Sequence, residues 1–209
     1  IDSKRIQGDF WRIHMGKCAQ KRLIRKLDLE MFIAKLKPHP SPSAKLEQYT
    51  TSESVAATMM YLATYSFGDI EGKRVLDLGC GTGRLALIAA FLGAQSVVGI
   101  DIDRRAVEVA LENSCAVGLE GAVNWIIGDI GAVAGKFDTV IQNPPFGVQK
   151  RAADRKFLEK ALQVGSTIYS LHNHPYCDGK LNRKFNAANG RPLQVEASPF
   201  LKDLIERYG

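Results

Sequence analysis

The 209-residue chain reads as an α/β protein built on a mainly parallel sheet with helices on both faces. Three observations predict this class. Short apolar runs recur at 74–78, 96–100, 123–127, 139–142 and 167–171; helical periodicity fills most of the intervals between them; and a glycine-rich turn follows the first run. Strands divided by helices form βαβ units, whose sheets run parallel and are covered on both faces.

Taken in order, residues 1–14 carry no pattern, and Met15 could serve as a natural start. From 17 to 36, apolar residues at 23, 24, 27, 31 and 34 lie between basic ones, which predicts a helix with a basic outer face. Pro38, Pro40 and Pro42 end it, because proline lacks the donor a helix needs. A second amphipathic helix is expected over 54–65, closed by Gly68. Helices at 85–92, 104–116 and 156–163 then alternate with the five strands. The expected division is a basic helical extension over 1–36 and one α/β domain over 37–209. Within that domain, the polar stretch 172–196 forms a loop insertion, and 199–207 a short helix.

The net charge of +6 is concentrated in one place. Residues 1–37 hold ten Lys and Arg against four acids, leaving 18 of each sign in the remainder. A concentrated basic segment suits a polyanion, since neutralised phosphates release counterions, although a solvated helix face gives the same pattern. No apolar run reaches the ~20 residues of a membrane span. Cys18, Cys80, Cys115 and Cys177 form no CxxC pair, so a reduced, cytoplasmic setting is expected. His172, His174 and Cys177 could hold a transition metal with Asp178 as a fourth ligand, but they read first as exposed loop residues, and no metal is expected.

The chemistry is carried by VLDLGCGTGRL at 75–85. Gly79, Gly81 and Gly83 follow a strand and precede a helix, where glycine permits a tight turn and close approach to a ligand. Asp77 stands before them in the same turn, whereas the dinucleotide fingerprint has its acid later. A carboxylate there suits a ligand bearing an amino group and a sulfonium, not a pyrophosphate. Asp101 ends the second strand, 24 residues on, where an acid can bind both ribose hydroxyls. Asp103 competes for that role, but its position before Arg104 favours a helix cap. Asp129, after the third strand, can accept from an adenine amino group. The fourth strand ends in Asn143-Pro144-Pro145-Phe146. The Asn143 side-chain oxygen and the Pro144 carbonyl give two acceptors for the two hydrogens of an NH₂ group, and Phe146 gives a face for stacking a base.

On these motifs the chain resembles the class I, Rossmann-like methyltransferases that act on amino nitrogens. More narrowly, LEQYTT at 46–51 with NPPFGVQKRAADRKFL at 143–158 is similar to the archaeal and eukaryotic enzymes that form N6-methyladenosine in small-subunit ribosomal RNA. The resemblance implies S-adenosyl-L-methionine as cofactor. Gln48, Tyr49, Thr50 and Thr51 would line its methionine end; Asp77, Gly79 and Gly81 would hold its amino-acid part, Asp101 the ribose and Asp129 the adenine. Asn143, Pro144, Pro145 and Phe146 would grip the target adenine, with Asp154 and Phe157 in support. It also implies an RNA partner and a small zinc-binding adaptor protein that pairs along a sheet edge. Two other acceptors fit an Asn-Pro-Pro-aromatic motif, a protein glutamine amide and DNA adenine. A non-catalytic RNA-binding scaffold is a further alternative. The class usually has seven strands, the last two a hairpin, and only five are legible before Gly209. A chain lacking its last strands is therefore expected.

Overall fold

The computed structural model describes residues 23–43, 46–48, 50–145 and 153–171. Two helices, α1 (Lys26–Ile33) and α2 (Glu53–Tyr61), precede the sheet. The α2 helix runs on into a π-helical turn over Leu62–Ser66. Then β1 (Arg74–Leu78), α3 (Arg84–Phe91), β2 (Ser96–Asp101), α4 (Arg104–Ala116) and β3 (Val123–Ile127) follow in alternation. A 3₁₀ turn at Ile130–Ala132 leads to β4 (Phe137–Gln142), α5 (Ala153–Val164) and β5 (Gly165–Ser170).

All five strands are parallel, in the order β3-β2-β1-β4-β5. Period-two alternation sorts the strand residues between two cores. Val75, Val97, Val123 and Ile141 face α1, α2 and α3. Leu76, Leu78, Ile100 and Val140 face Ala161 and Val164 of α5. Helices therefore cover both faces, and the expected fold class holds. The register aligns Leu78 with Ile100 and with Gln142, so the carboxyl ends of β1, β2 and β4 reach the same level. Among the described residues no helix is long and apolar enough to cross a membrane.

The first helix departs from its expected form. Leu23, Leu27 and Met31, read above as its apolar face, are more than half exposed, and Ala34 is exposed too. The buried stripe is instead Leu29, Phe32, Ile33 and Leu36, at helical spacing i, i+3, i+4 and i+7. Apolar residues lie all round this helix, and its neighbours α2 and α3 decide which stripe is covered; Phe32 stacks on Phe91 of α3 at 4.6 Å. The stripe belongs to the same core as β1 and α3, so the boundary expected at 36–37 runs through a packed cluster. The helix starts at Lys26 behind Arg25, whose guanidinium grips Asp28 at 2.8 Å. The expected insertion at 172–196 and helix at 199–207 lie outside the described residues.

Candidate active site

The turn after β1 is shaped by its glycines. Gly79, Gly81 and Gly83 all hold positive φ, at 70°, 53° and 84°. The close contacts fall at Gly79 and Gly83. A Cβ on Gly79 would meet Phe157 Cε1 at 2.8 Å, and one on Gly83 would meet the Trp125 ring at 2.6 Å. Phe157 of α5 and Trp125 of β3 thus clamp the turn from opposite faces of the sheet, while Trp125 Nε1 donates to Ser114 Oγ at 3.1 Å.

Asp77 is buried, with 1% of its surface exposed. Its Oδ2 accepts from Ala86 N at 2.9 Å, and its Oδ1 has no hydrogen-bond partner. Burial pushes this carboxyl up to about 8, and the nearby Asp101 adds to the shift against the Ala86 hydrogen bond. Asp101 accepts from Gly81 N at 2.8 Å and Asp103 N at 2.9 Å. Burial still raises it above the ordinary carboxylate range. Burial, then the charges of Asp77 and Asp101, push the Cys80 thiol up as well, so Cys80 is no nucleophile.

Asp103 does cap α4, accepting from Arg105 N at 2.9 Å. It also accepts from Gln48 Nε2 at 2.6 Å and His39 Nε2 at 3.1 Å. Ser41 N donates to His39 Nδ1 at 3.1 Å, which places the ring proton on Nε2, facing the carboxylate. Burial pulls Asp103 upward but is outweighed by the bonds from Gln48 and Arg105 N and by His39, and the carboxyl lies below its ordinary value. The partner of His39 lies 64 residues away in the sequence. Gln48 Oε1 accepts from Ser43 N at 2.6 Å, so both polar ends of that side chain are used within the protein.

One cavity gathers these groups. Gln48, Thr50, Thr51, Asp77, Gly79, Gly81, Asp101, Asp129, Asn143 and Pro145 all line it. Pro144 is buried and does not line it; Tyr49 and Phe146 lie outside the described residues. Asp129 Oδ1 accepts from Gly131 N at 2.7 Å, capping the 3₁₀ turn. Sequence reasoning missed His39, Arg84, Ile102 and Ile130, which also line the cavity. Arg84 was visible as the residue after the last glycine of the turn. The two isoleucines had a signal only in following Asp101 and Asp129. Glu47, on the same wall, holds φ 50°, a region non-glycine residues rarely enter.

The cavity fits a sulfonium nucleoside carrying an amino acid. The unpaired Asp77 Oδ1 can receive an ammonium, and a Cβ on Gly81 would meet open space among the described residues beyond its chain neighbours. Asp101 retains lone pairs for two hydroxyls. Ile102, 59% exposed, and Ile130 offer apolar surface beside Asp129 for a purine. A parallel sheet of this order, with acids at three successive strand ends and an Asn-Pro-Pro turn at the fourth, defines a class I methyltransferase that uses S-adenosylmethionine. The chain belongs to the methyltransferase small domain family, whose model matches residues 55–186.

Its relatives agree. An uncharacterized protein of Methanocaldococcus jannaschii is 44% identical over 168 residues, which cover 75% of this chain and 74% of that one. The rRNA N(6)-adenosine-methyltransferase of Danio rerio is 40% identical over 150 residues, covering 69% and 72%. A crystal structure of a Pyrococcus horikoshii protein matches with a TM-score of 0.69 and 41% identity, covering 78% of this chain and 76% of its own.

Proposed function

We propose that this enzyme methylates the N6 amino group of an adenosine in RNA, with small-subunit ribosomal RNA as the substrate. The observation that carries the reading is that Asn143, at the end of β4, lines the same cavity as Asp77, Asp101 and Asp129. The name of the Danio rerio relative supports the choice of base and of RNA.

S-adenosylmethionine supplies a methyl group made electrophilic by its sulfonium. The protein's part is to hold donor and acceptor in line. Asp77 would receive the ammonium, with Gly79 and Gly81 giving room for the amino-acid portion. Asp101 would take the ribose hydroxyls and Asp129 the adenine amino group, while Gln48, Thr50 and Thr51 would complete the wall. Asn143 Oδ1 would accept one N6 hydrogen; the Pro144 carbonyl, buried and off the cavity wall in the free protein, would have to turn toward the base to take the second, and the two bonds together would turn the nitrogen lone pair out of conjugation and toward the methyl. Pro145 stiffens the turn; by the resemblance, Phe146 would stack the base and Tyr49 would serve the methionine end. Fixed alignment of two reactants is worth up to roughly 7–11 kcal/mol. A paired base cannot reach such a cavity, so the target adenosine is unpaired or flipped out. No strong base is needed: as the N–C bond formed, the S–C bond would break to leave S-adenosylhomocysteine, and the methylated, now acidic nitrogen would lose its proton to solvent.

The reading also includes a zinc-binding adaptor docked on a sheet edge and a cytoplasmic setting. The β3 edge supports the adaptor: Ile126 and Ile127 are 45% and 43% exposed on a strand that, among the described residues, is paired on one side only.

The test is transfer of tritiated methyl to purified small-subunit rRNA, with DNA and protein acceptors in parallel and Asn143→Ala as control. Label recovered as N6-methyladenosine and lost in the control supports the proposal. Label found in protein glutamine or DNA alone overturns it.

A further inference from the structure

For Asn143 to accept an N6 hydrogen, its amide must present oxygen, not nitrogen, to the base. The terminal torsion of asparagine is broad and roughly two-fold, so the side chain alone does not choose between them. The structure supplies a choice. Asn143 Nδ2 donates to Thr51 Oγ1 at 2.8 Å, across 92 residues of sequence. A threonine hydroxyl can donate as well as accept, so this orientation holds while Thr51 directs its own proton elsewhere; with the nitrogen on Thr51, the oxygen faces the other way.

Thr51 is itself held. Its carbonyl accepts from Arg84 NH1 at 2.9 Å, and the same nitrogen donates to Glu53 Oε1 at 2.9 Å. The Arg84 side chain is only 11% exposed, and it opens α3 directly after the glycine turn. A network therefore runs from the donor-binding turn, through Arg84 and Thr51, to the amide at the end of β4.

We propose that Thr51 is the positioning residue that sets which face of the Asn143 amide meets the acceptor, and that Arg84 with Glu53 fixes Thr51 in place. Resting as it does on the adenine reading above, the inference gives that reading a second component: base recognition is tied by hydrogen bonds to the donor side of the cavity.

The experiment compares Thr51→Val, Thr51→Ser, Asn143→Ala and the Thr51→Val/Asn143→Ala pair with wild type in the full chain. Single-turnover methyl transfer to small-subunit rRNA is measured at saturating cofactor. Binding of S-adenosylhomocysteine is measured by calorimetry, and thermal unfolding is recorded for each variant. Thr51→Val, close in shape but without an acceptor, is expected to slow transfer roughly tenfold, as one donor left unpaired implies. Because Thr51 also lines the donor pocket, affinity for S-adenosylhomocysteine is expected to fall less than the transfer rate does, the pocket's acids being unchanged. Thr51→Ser restores most of the rate, and adding Thr51→Val to Asn143→Ala costs nothing more. The proposal falls on any of these: an unchanged Thr51→Val rate, losses that multiply in the double variant, or a loss confined to cofactor affinity. An Asn143→Ala enzyme as fast as wild type overturns the adenine-gripping reading and this proposal together. A dead Asn143→Ala beside a fully active Thr51→Val removes the positioning role alone.

Discussion

Replacing Asp77 by Asn isolates the cost of keeping a carboxylate in the donor pocket. In the folded, ligand-free chain the Asp77 carboxyl titrates at about 8, against an ordinary value of 3.8. Between those values the unfolded chain is ionised there while the folded chain keeps its proton. The folded state thus binds more protons, and stability falls as pH rises. The slope is about 1.4 kcal/mol per pH unit, so ionisation of Asp77 costs the fold up to about 4 kcal/mol by pH 7. Below pH 4 the penalty vanishes, and above pH 8 it stops growing. Asparagine removes this titration while still accepting from Ala86 N; its new NH₂ group, buried without a partner, costs about 1–3 kcal/mol at every pH. Urea unfolding of wild type and Asp77→Asn at pH 5, 6, 7 and 8 measures the difference directly. The gap should shift in favour of the variant by roughly 1.4 kcal/mol with each unit, and the variant should lose stabilisation by S-adenosylhomocysteine. Parallel stability curves from pH 5 to 8 would falsify the reasoning, because Asp77 would then be ionised in the free protein.

Three other outcomes are expected. Asp101→Ala should weaken S-adenosylhomocysteine binding by roughly ten- to a hundredfold, the range for losing hydrogen bonds to a charged group, as read by calorimetry. Gly99→Ala would place a Cβ 2.5 Å from Trp125 Cζ3 and 3.3 Å from Cys80 Cβ; it should destabilise by about 1–3 kcal/mol in urea unfolding. Leu29→Ala, at a fully buried position, should cost about 2–5 kcal/mol. A loss near zero there would mean that α1 is an appendage to the core and no part of it.

Much of the frame was legible because its signals are local. The bounds expected for α4 and β3 match those observed, since Asp103 announces the helix and Gly118 and Gly121 bracket the turn before the strand. The strand-end acids were legible for the same reason: each follows its apolar run within a residue or two. What the sequence hid depends on pairing across distance. No local pattern chooses between the two apolar stripes of α1, because the choice is made by Phe91 and its neighbours on α3. His39 and Gln48 look independent until folding brings both onto Asp103. The π-helical turn after α2, with Thr64 Oγ1 donating to Met60 O at 2.7 Å, left no periodic mark that separates it from an ordinary helix.

The strand order β3-β2-β1-β4-β5 has a consequence for how such an enzyme acquires new substrates. The chain lays down β1, β2 and β3 outward in one direction, then returns past β1 to place β4 on its other side. The crevice opens where that direction reverses. The strand-end acids Asp77, Asp101 and Asp129 all lie on the outward arm, and the Asn-Pro-Pro turn begins the returning one. On the proposed assignment, the loop that meets the substrate is an interchangeable tool head on a fixed fuel supply. One Asn-Pro-Pro turn could serve a base nitrogen or an amide nitrogen while the three acids stay where they are, provided that Asn143 keeps its partner at Thr51.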